Sequence, residues 1–327
     1  MKILAPISSA GETESLIEAG AGELYCGLMT KGWQDDYTNA ISSNRRSYIK
    51  ANLADLNALK KIVRTASRRG AETIIALNAF YSKAQYPLLL GLVKDTLSLG
   101  ISGFIVGDLN FIKLLHQKFP KAAIYISVLN NVFNSRGVRL LQSMGVKRIT
   151  LPQYMSLGEI RNIILKNPDM EFEVFIRNAG CRYVQGFCEF SHGLEEFMQK
   201  KPEIVYNASP CFWEDYRVSI VGGSIGTLPG IAKKVGLLYK HPCLPYLEAC
   251  AACNLWDFKQ MGIQAFKIAG RELPKETRIR DITFIKGMIS ALEKNNFTRK
   301  RFYSFARDHF KKTYGFSCNS QLCYYEK

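Results

Sequence analysis

The sequence lacks several patterns that mark common classes of protein. Its 327 residues include only four histidines and no His-Glu-x-x-His motif, which disfavours a zinc protease. No Gly-x-Gly-x-x-Gly motif follows an early predicted strand, which disfavours a dinucleotide-binding fold. No apolar run approaches the roughly 18 residues of a membrane span, and residues 1–14 lack the apolar core of a secretory signal. We therefore expect a cytoplasmic protein without a membrane span.

Acidic residues are scarce relative to basic ones. The chain has 44 lysine and arginine residues against 28 acidic ones, a formal net charge of +16. This surplus favours an anionic partner such as RNA. It is concentrated in residues 44–69 and 294–312, and the second stretch also carries five aromatic residues. Those rings predict either stacking on bases or an amphipathic helix whose aromatic face packs on the core.

Apolar, strand-like segments alternate with helical patterns along most of the chain. Such alternation predicts a parallel sheet with helices outside it. Eight strands are enough to close an α/β, TIM-barrel-like (β/α)8 fold, and an open doubly wound sheet is the rival. The eight predicted strands are residues 2–7, 23–28, 72–78, 103–108, 122–129, 147–151, 171–176 and 265–269.

The predicted barrel is interrupted between its seventh and eighth strands. A cysteine-rich insertion at residues 180–255 starts where the seventh strand ends. In these barrels, functional sites form at the ends of the strands, so the insertion begins at the functional face. We assign residues 1–275 to the barrel domain and residues 276–327 to a basic, helical C-terminal extension.

Nine cysteines are many for a cytoplasmic chain, in which disulfides are rare. Six of them fall in the insertion. Cys181 and Cys188 are separated by six residues, too many for a zinc knuckle, whereas Cys250 and Cys253 have a knuckle spacing. These spacings are compatible with a [4Fe–4S] cluster, with zinc, or with no metal. A second site on the cysteine pair of residues 318–323 is a further possibility.

One run of residues resembles the signature of a known family. From Glu173 to Ser191 the chain reads Glu-Val-Phe-Ile-Arg-Asn-Ala-Gly-Cys-Arg-Tyr-Val-Gln-Gly-Phe-Cys-Glu-Phe-Ser. This run is similar to the signature of the U32 family, which includes collagenase-like peptidases and hydroxylation proteins. Further similarities lie at residues 4–6, 25–27, 105–109, 127–134 and 261–271. The resemblance therefore covers nearly all of the predicted barrel.

The U32 resemblance implies a TIM-barrel-like fold and a [4Fe–4S] cluster held by four cysteines. By position the implied ligands are Cys181, Cys188, Cys211 and Cys250, with Cys253 as a substitute for the last. The family's Lys-Ile-Glu-Gly-Arg run has Ala269 in place of the glutamate here. The mouth of the barrel therefore lacks one acidic group that the family pattern carries.

The same resemblance implies an enzyme, or an enzyme subunit, that hydroxylates an aromatic or nucleobase substrate without dioxygen. RNA and a precursor in ubiquinone biosynthesis are the two substrates it suggests. Arg177, Lys267 and Arg271 are the predicted catalytic residues, because arginines near the mouth can hold a carboxylate-bearing oxygen donor. The alternatives are a U32 peptidase and a non-catalytic, cluster-bearing chain that pairs with a related U32 chain.

Overall fold

Parallel strands and the helices around them make up most of the described chain. The structure, a computed structural model, describes residues 1–36, 42–46, 49–178, 249–318 and 323–325. No helix in these ranges is both long and apolar enough to cross a membrane. Most of the predicted insertion lies outside them, so the predicted division into domains stays a prediction.

The strands form a closed barrel. The strands of the described ranges are β1 (Lys2–Pro6), β2 (Glu23–Leu28), β3 (Asn52–Leu53), β4 (Glu72–Leu77), β5 (Gly103–Val106), β6 (Ala123–Ile126), β7 (Val146–Thr150), β8 (Glu171–Arg177) and β9 (Ala265–Ile268). All pairings are parallel, in the order β1-β9-β8-β7-β6-β5-β4-β2, and β1 also pairs with β2 to close the ring. The predicted TIM-barrel-like fold is therefore confirmed, and the open sheet was the wrong alternative. The two-residue β3 pairs in parallel with the C-terminal end of β2 and was not predicted, because so short a strand leaves no periodic signal.

Helices follow most of the strands, and local signals set their ends. The described helices are α1 (Thr13–Glu18), α2 (Lys31–Asp36), α3 (Leu56–Arg68), α4 (Tyr86–Ser98), α5 (Leu109–Lys118), α6 (Ser135–Ser143), α7 (Leu157–Leu165), α8 (Leu255–Met261), α9 (Lys275–Lys294) and α10 (Arg299–Tyr314). Asp55, Asp108 and Ser156 each accept a backbone hydrogen bond in the first turn of α3, α5 and α7. Gly262 and Gly315 end α8 and α10 with φ angles of 76° and 81°, which glycine adopts without strain.

The C-terminal helices α9 and α10 pack beside the barrel. Their shared face includes an edge-to-face contact between Phe284 and Phe310, whose ring centres are 5.9 Å apart. Nη1 of Arg278 on α9 donates to the carbonyl of Pro6, at the C-terminal end of β1, at 3.4 Å. The carboxyl ends of the parallel strands meet at this end of the barrel, hereafter the mouth. The predicted helical extension is thus confirmed as two helices, and Arg278 links the first of them to the mouth.

Candidate functional site

The interior of the barrel holds a network of buried charges. Arg148 of β7 contacts Glu23 of β2 twice, with Nη1–Oε2 and Nη2–Oε1 distances of 2.6 and 2.9 Å. Nζ of Lys267 on β9 lies 3.0 Å from Oε1 of Glu173, which also accepts a hydrogen bond from Thr150 at 2.8 Å. A 3.7 Å contact between Arg148 and Glu173 joins the two pairs. Each of these charges has an opposite partner, as burial requires.

In this network the combined effect of the ion pairs on the pKa of Glu23 is larger than the effect of burial. Burial by itself would raise the pKa of Glu23, but hydrogen bonds and positive charge from Arg148 lower it below its ordinary value. The Lys267 ammonium also lies 5.0 Å from the ring centre of Tyr25. Lys267, one of the predicted catalytic residues, is therefore placed inside the barrel and held by Glu173. Its role in chemistry stays a prediction.

Arg271 lies across Gly27 at the C-terminal end of β2. A Cβ atom at Gly27 would fall 1.9 Å from Nη1 of Arg271, so only glycine leaves room for the guanidinium. Nη2 of Arg271 donates to Oδ1 of Asn44 at 2.7 Å, and Nδ2 of Asn44 donates to Oδ1 of Asn52 at 2.8 Å. Nη1 is buried and has no hydrogen-bond partner among the described residues. Burial is the main cause that lowers the pKa of Arg271.

Residues of the segment that follows β2 lie around Arg271. Nη1 of Arg46 lies 2.8 Å from Oε1 of Glu272, and the carbonyl of Arg46 accepts a hydrogen bond from Asn52 at 2.6 Å. Asn44 and Asn52, which position Arg271, were not predicted as site residues. A single amide gives no spacing signal, and the only hint was their place in the basic stretch 44–69.

Arg177, the third predicted catalytic residue, contacts the C-terminal helices. Its Nε lies 3.3 Å from Oδ1 of Asp281 on α9 and 3.2 Å from the hydroxyl of Tyr314 on α10. The next residue, Asn178, donates to the other oxygen of Asp281 at 2.8 Å. Burial would lower the pKa of Arg177, but Tyr314, Cys250 and Asp281 raise it. Arg177 thus joins the end of β8 to α9 and α10, and its catalytic role is untested.

Four cysteines line one cavity beside the end of β8. They are Cys250, Cys253, Cys318 and Cys323, and the other lining residues are mostly apolar. Cys250 forms isolated β-bridges with Arg177 and with Cys323, which places the cavity next to the mouth. Among the residues that the structure describes, these cysteines form no disulfide with one another. The structure therefore places the two predicted ligands, Cys250 and Cys253, in the same cavity as the C-terminal cysteine pair.

Donors and cations surround these thiols. The backbone N–H of Ala252 donates to Sγ of Cys250 at 3.4 Å. Burial raises the pKa of the Cys250 thiol, and nearby Arg177 opposes that rise. A hydrogen bond with Cys318 is the main cause that raises the pKa of Arg307. Within the described ranges, no group of three or more His, Cys, Asp or Glu side chains is already arranged to hold a metal ion.

Three of the implied cluster ligands, Cys181, Cys188 and Cys211, lie outside the described residues. The structure therefore does not test whether they converge with Cys250, and the cluster stays a prediction.

Most of the basic stretch at residues 294–312 lies in α10, which has two different faces. Phe302 and Phe310 are buried, so for these two rings the prediction of an aromatic face on the core is confirmed. Tyr303 is 39% exposed, and the guanidinium carbon of Arg307 lies 5.9 Å from its ring centre. This ring remains accessible for stacking.

Comparisons with known proteins give relatives of one family. The profile of peptidase family U32 matches residues 8–324. The tRNA hydroxylation protein P of Escherichia coli strain K12 is 25% identical over 65% of this chain and 43% of that protein. The tRNA hydroxylation protein P1 of Bacillus subtilis strain 168 is 24% identical over 58% of this chain and 42% of that protein. The chain thus spans less than half the length of these curated relatives.

A solved structure shows the same fold. The U32 peptidase Mk0906 has a TM-score of 0.52 and 12% identity, covering 84% of this chain and 94% of that one. The family profile extends over nearly the whole chain and includes the signature at the end of β8. This chain therefore belongs to peptidase family U32.

Proposed function

We propose that this chain acts in the hydroxylation of a base in RNA, as an iron–sulfur protein that works without dioxygen. The observation that carries the proposal is the position of α10. One face of this helix lines the cysteine cavity, and the other presents Arg301, Lys311 and Lys312 to solvent. A thiol-lined site and a cationic surface thus share one element. The relatives named for tRNA hydroxylation support the same class of substrate.

The proposed cofactor is a [4Fe–4S] cluster. Its proposed ligands are Cys181, Cys188, Cys211 and Cys250, with Cys253 as the substitute. The surroundings of Cys250 suit a metal ligand, because its sulfur accepts the N–H of Ala252 and lies near the positive charge of Arg177. When bound, such a cluster supplies electron transfer.

Arg271 is the side chain that we propose to hold an anionic group at the mouth. Its Nη2 is fixed by Asn44, whereas its buried Nη1 lacks a partner and can donate to a carboxylate or phosphate oxygen. In the overall reaction, a C–H bond of the base becomes C–OH. The oxygen comes from a carboxylate-bearing donor, which is reduced by two electrons while the base is oxidised by two.

The peptidase alternative gains no support from the histidines in the described ranges. His309 is stacked between Phe284 and Phe305, with ring centres 5.5 and 5.6 Å away. Burial lowers its pKa, and it lies on α10 rather than inside the mouth. His116 lies in the last turn of α5, at the opposite end of that helix from the preceding strand's C-terminus. Neither is placed as a base for a nucleophile at the mouth.

Hydroxylated nucleosides provide the test. Total RNA from cells that express the chain is digested and analysed by mass spectrometry, with Cys181→Ala as the test variant and Cys26→Ala as the control. Cys26 is a buried thiol of β2, far in sequence from the proposed ligands. We expect a hydroxylated nucleoside that falls at least about tenfold in the test variant alone. Equal levels in both variants and in cells without the chain would contradict the proposal.

RNA binding tests the surface of α10. The double variant Lys311→Glu/Lys312→Glu should weaken tRNA binding and flatten its salt dependence, because fewer counterions are released. The matched control is Lys60→Glu/Lys61→Glu on the exposed face of α3. The mass of the complex purified with the chain also reports whether a related U32 chain accompanies it.

A further inference from the structure

We infer that the outer face of α10 binds an unpaired base of RNA, which stacks on Tyr303 while the neighbouring cations hold the phosphates of the strand. The inference rests on the proposed function, because it takes RNA as the partner, and it adds which form of RNA this surface fits. The residues concerned are Lys300, Tyr303, Arg307 and Lys311, hereafter the α10 stripe. Spacings of three and four residues place them on one face of the helix.

Tyr303 differs from the other aromatic residues near it, whose rings pack on one another. The ring centre of Phe302 lies 5.7 Å from that of Phe297 and 6.2 Å from that of Phe305. Phe302 is fully buried, whereas Tyr303 is 39% exposed. Packing of the core therefore does not account for an aromatic residue at position 303, and its ring is open to a base from solvent.

Arg307 is held beside the ring of Tyr303. Its guanidinium carbon lies 5.9 Å from the ring centre, within the range of a cation–π contact, and its side chain also bonds to Cys318. Two contacts restrain a side chain that is otherwise on the surface, so less conformational freedom is lost when a phosphate binds to it. An aromatic ring next to a guanidinium is the kind of surface on which unpaired bases stack.

Most of the positive charge on α10 is not neutralised by the described part of the chain. The helix has six lysine and arginine residues against one acidic residue, Asp308. Arg299 is paired with Asp257 at 2.9 Å, whereas Lys300 and Lys311 form no ion pair with any described residue. Such cations attract a polyanion, and their contacts with phosphates supply the salt-dependent part of RNA binding.

The α10 stripe leads towards the candidate site. Arg307 lines the cysteine cavity, and Tyr314 further along α10 contacts Arg177 at the end of β8. About 16 Å separate Tyr303 from Tyr314 along the helix axis. A strand that stacks one base on Tyr303 therefore extends along α10 towards the mouth. The base must be unpaired, because the bases of a duplex stack on each other and not on a side chain.

Binding of one RNA in two forms tests the α10 stripe. The probes are a short single-stranded RNA of mixed sequence and the same strand annealed to its complement, and fluorescence anisotropy at fixed salt gives each Kd for the full chain. We expect Tyr303→Ala to weaken binding of the single strand at least about fivefold and to leave duplex binding unchanged, whereas Tyr303→Phe retains both. Lys300→Gln/Lys311→Gln should weaken binding of both probes and reduce its salt dependence. The control is Leu165→Ala, which removes an exposed apolar side chain at the end of α7 and should change neither Kd.

A second measurement uses the unaltered chain and does not depend on how a variant folds. Single-stranded RNA that contains thiouridine is photocrosslinked to the protein, and peptide mass spectrometry locates the crosslinks. We expect a crosslink in the peptide of α10 that contains Tyr303. Crosslinks confined to other peptides would overturn the inference. Equal binding of the single strand by Tyr303→Ala and the unaltered chain, or an equal loss for both probes, would overturn it as well.

The hydroxylated nucleoside separates this inference from the proposed function. If the unaltered chain produces that nucleoside and Tyr303→Ala binds the single strand as the unaltered chain does, only the inference fails. If Tyr303→Ala loses single-strand binding but no hydroxylated nucleoside is found, the inference stands and the proposed function fails. If the unaltered chain binds neither probe, both fail.

Discussion

The barrel interior and the cysteine cavity are both buried, yet their polar groups are arranged in opposite ways. Inside the barrel, Arg148 and Lys267 each face a carboxylate within hydrogen-bonding distance. The cavity instead gathers four thiols against apolar walls, with cations at their sides. A network whose charges are matched within the protein has little left for a ligand. A buried polar atom indicates a ligand-binding site when the protein provides no hydrogen-bond partner for it.

Arg271 lies between these two cases. One nitrogen of its guanidinium is held by Asn44, and another is buried without a partner in the part of the chain that the structure describes. A buried hydrogen-bond donor without a partner costs about 1–3 kcal/mol of stability. A ligand that accepts a hydrogen bond from Nη1 of Arg271 would remove this cost. By this criterion Arg271 is a stronger candidate for substrate contact than Lys267 or Arg177, both of which are paired.

The largest expected effect comes from breaking the barrel network. Glu173→Ala leaves Lys267 and Arg148 buried close to each other without the carboxylate between them, and we expect a loss of about 3–5 kcal/mol in the free energy of unfolding. Urea denaturation measures it. Glu72→Ala, which removes the exposed partner of Lys2, should cost no more than about 1 kcal/mol. Equal losses in the two variants would show that the network is not the stabilising unit.

A smaller loss is expected where glycine makes room for Arg271. In Gly27→Ala the new Cβ would displace the guanidinium and Asn52, whose Oδ1 lies 2.1 Å from that position. We expect destabilisation of about 1–3 kcal/mol, measured by thermal unfolding. Gly91→Ala on α4 has nothing within 4 Å and should be neutral or stabilising. A neutral Gly27→Ala would mean that Arg271 does not need its present position.

Acid should weaken the network through Glu23. Because the folded-state pKa of Glu23 is depressed, its contribution is present above the ordinary value of 4.5 and is lost as the pH falls through the lower, folded value. We expect the free energy of unfolding to fall by at most about 2 kcal/mol between neutral pH and about pH 3, which is the limit for one carboxyl group with an ordinary pKa of 4.5. The free energy of unfolding of Glu23→Gln should depend less on pH over that window. If the free energy of unfolding changed equally with pH in the unaltered protein and in Glu23→Gln, Glu23 would be excluded as the titrating group.

The smallest effect is expected in the cavity. Cys318→Ala should change the free energy of unfolding by no more than about 1 kcal/mol, because a partly exposed thiol contributes little by itself. Differential scanning calorimetry gives the comparison with the unaltered protein. A large loss would show that Cys318 stabilises the protein through packing.

The strands were predictable because their signal is local. The apolar segments of β1 and β2, the helical patterns between strands and the glycines at helix ends all lie within a few residues of the element they define. The contacts within the candidate site could not be predicted in this way, because they join residues that are far apart in the sequence. Arg148 and Glu23 lie 125 residues apart, and no periodicity links Cys250 with Cys323.

By itself, the sequence determined an eight-stranded α/β barrel of the U32 family and a concentration of thiols after its seventh barrel strand. Only the tertiary structure decided that Lys267 is paired within the barrel, that Arg271 keeps an unpaired nitrogen, and that the C-terminal cysteines reach the same cavity as Cys250. The reason is that hydrophobic periodicity is set by neighbouring residues, whereas these contacts depend on how the closed ring and its last two helices pack.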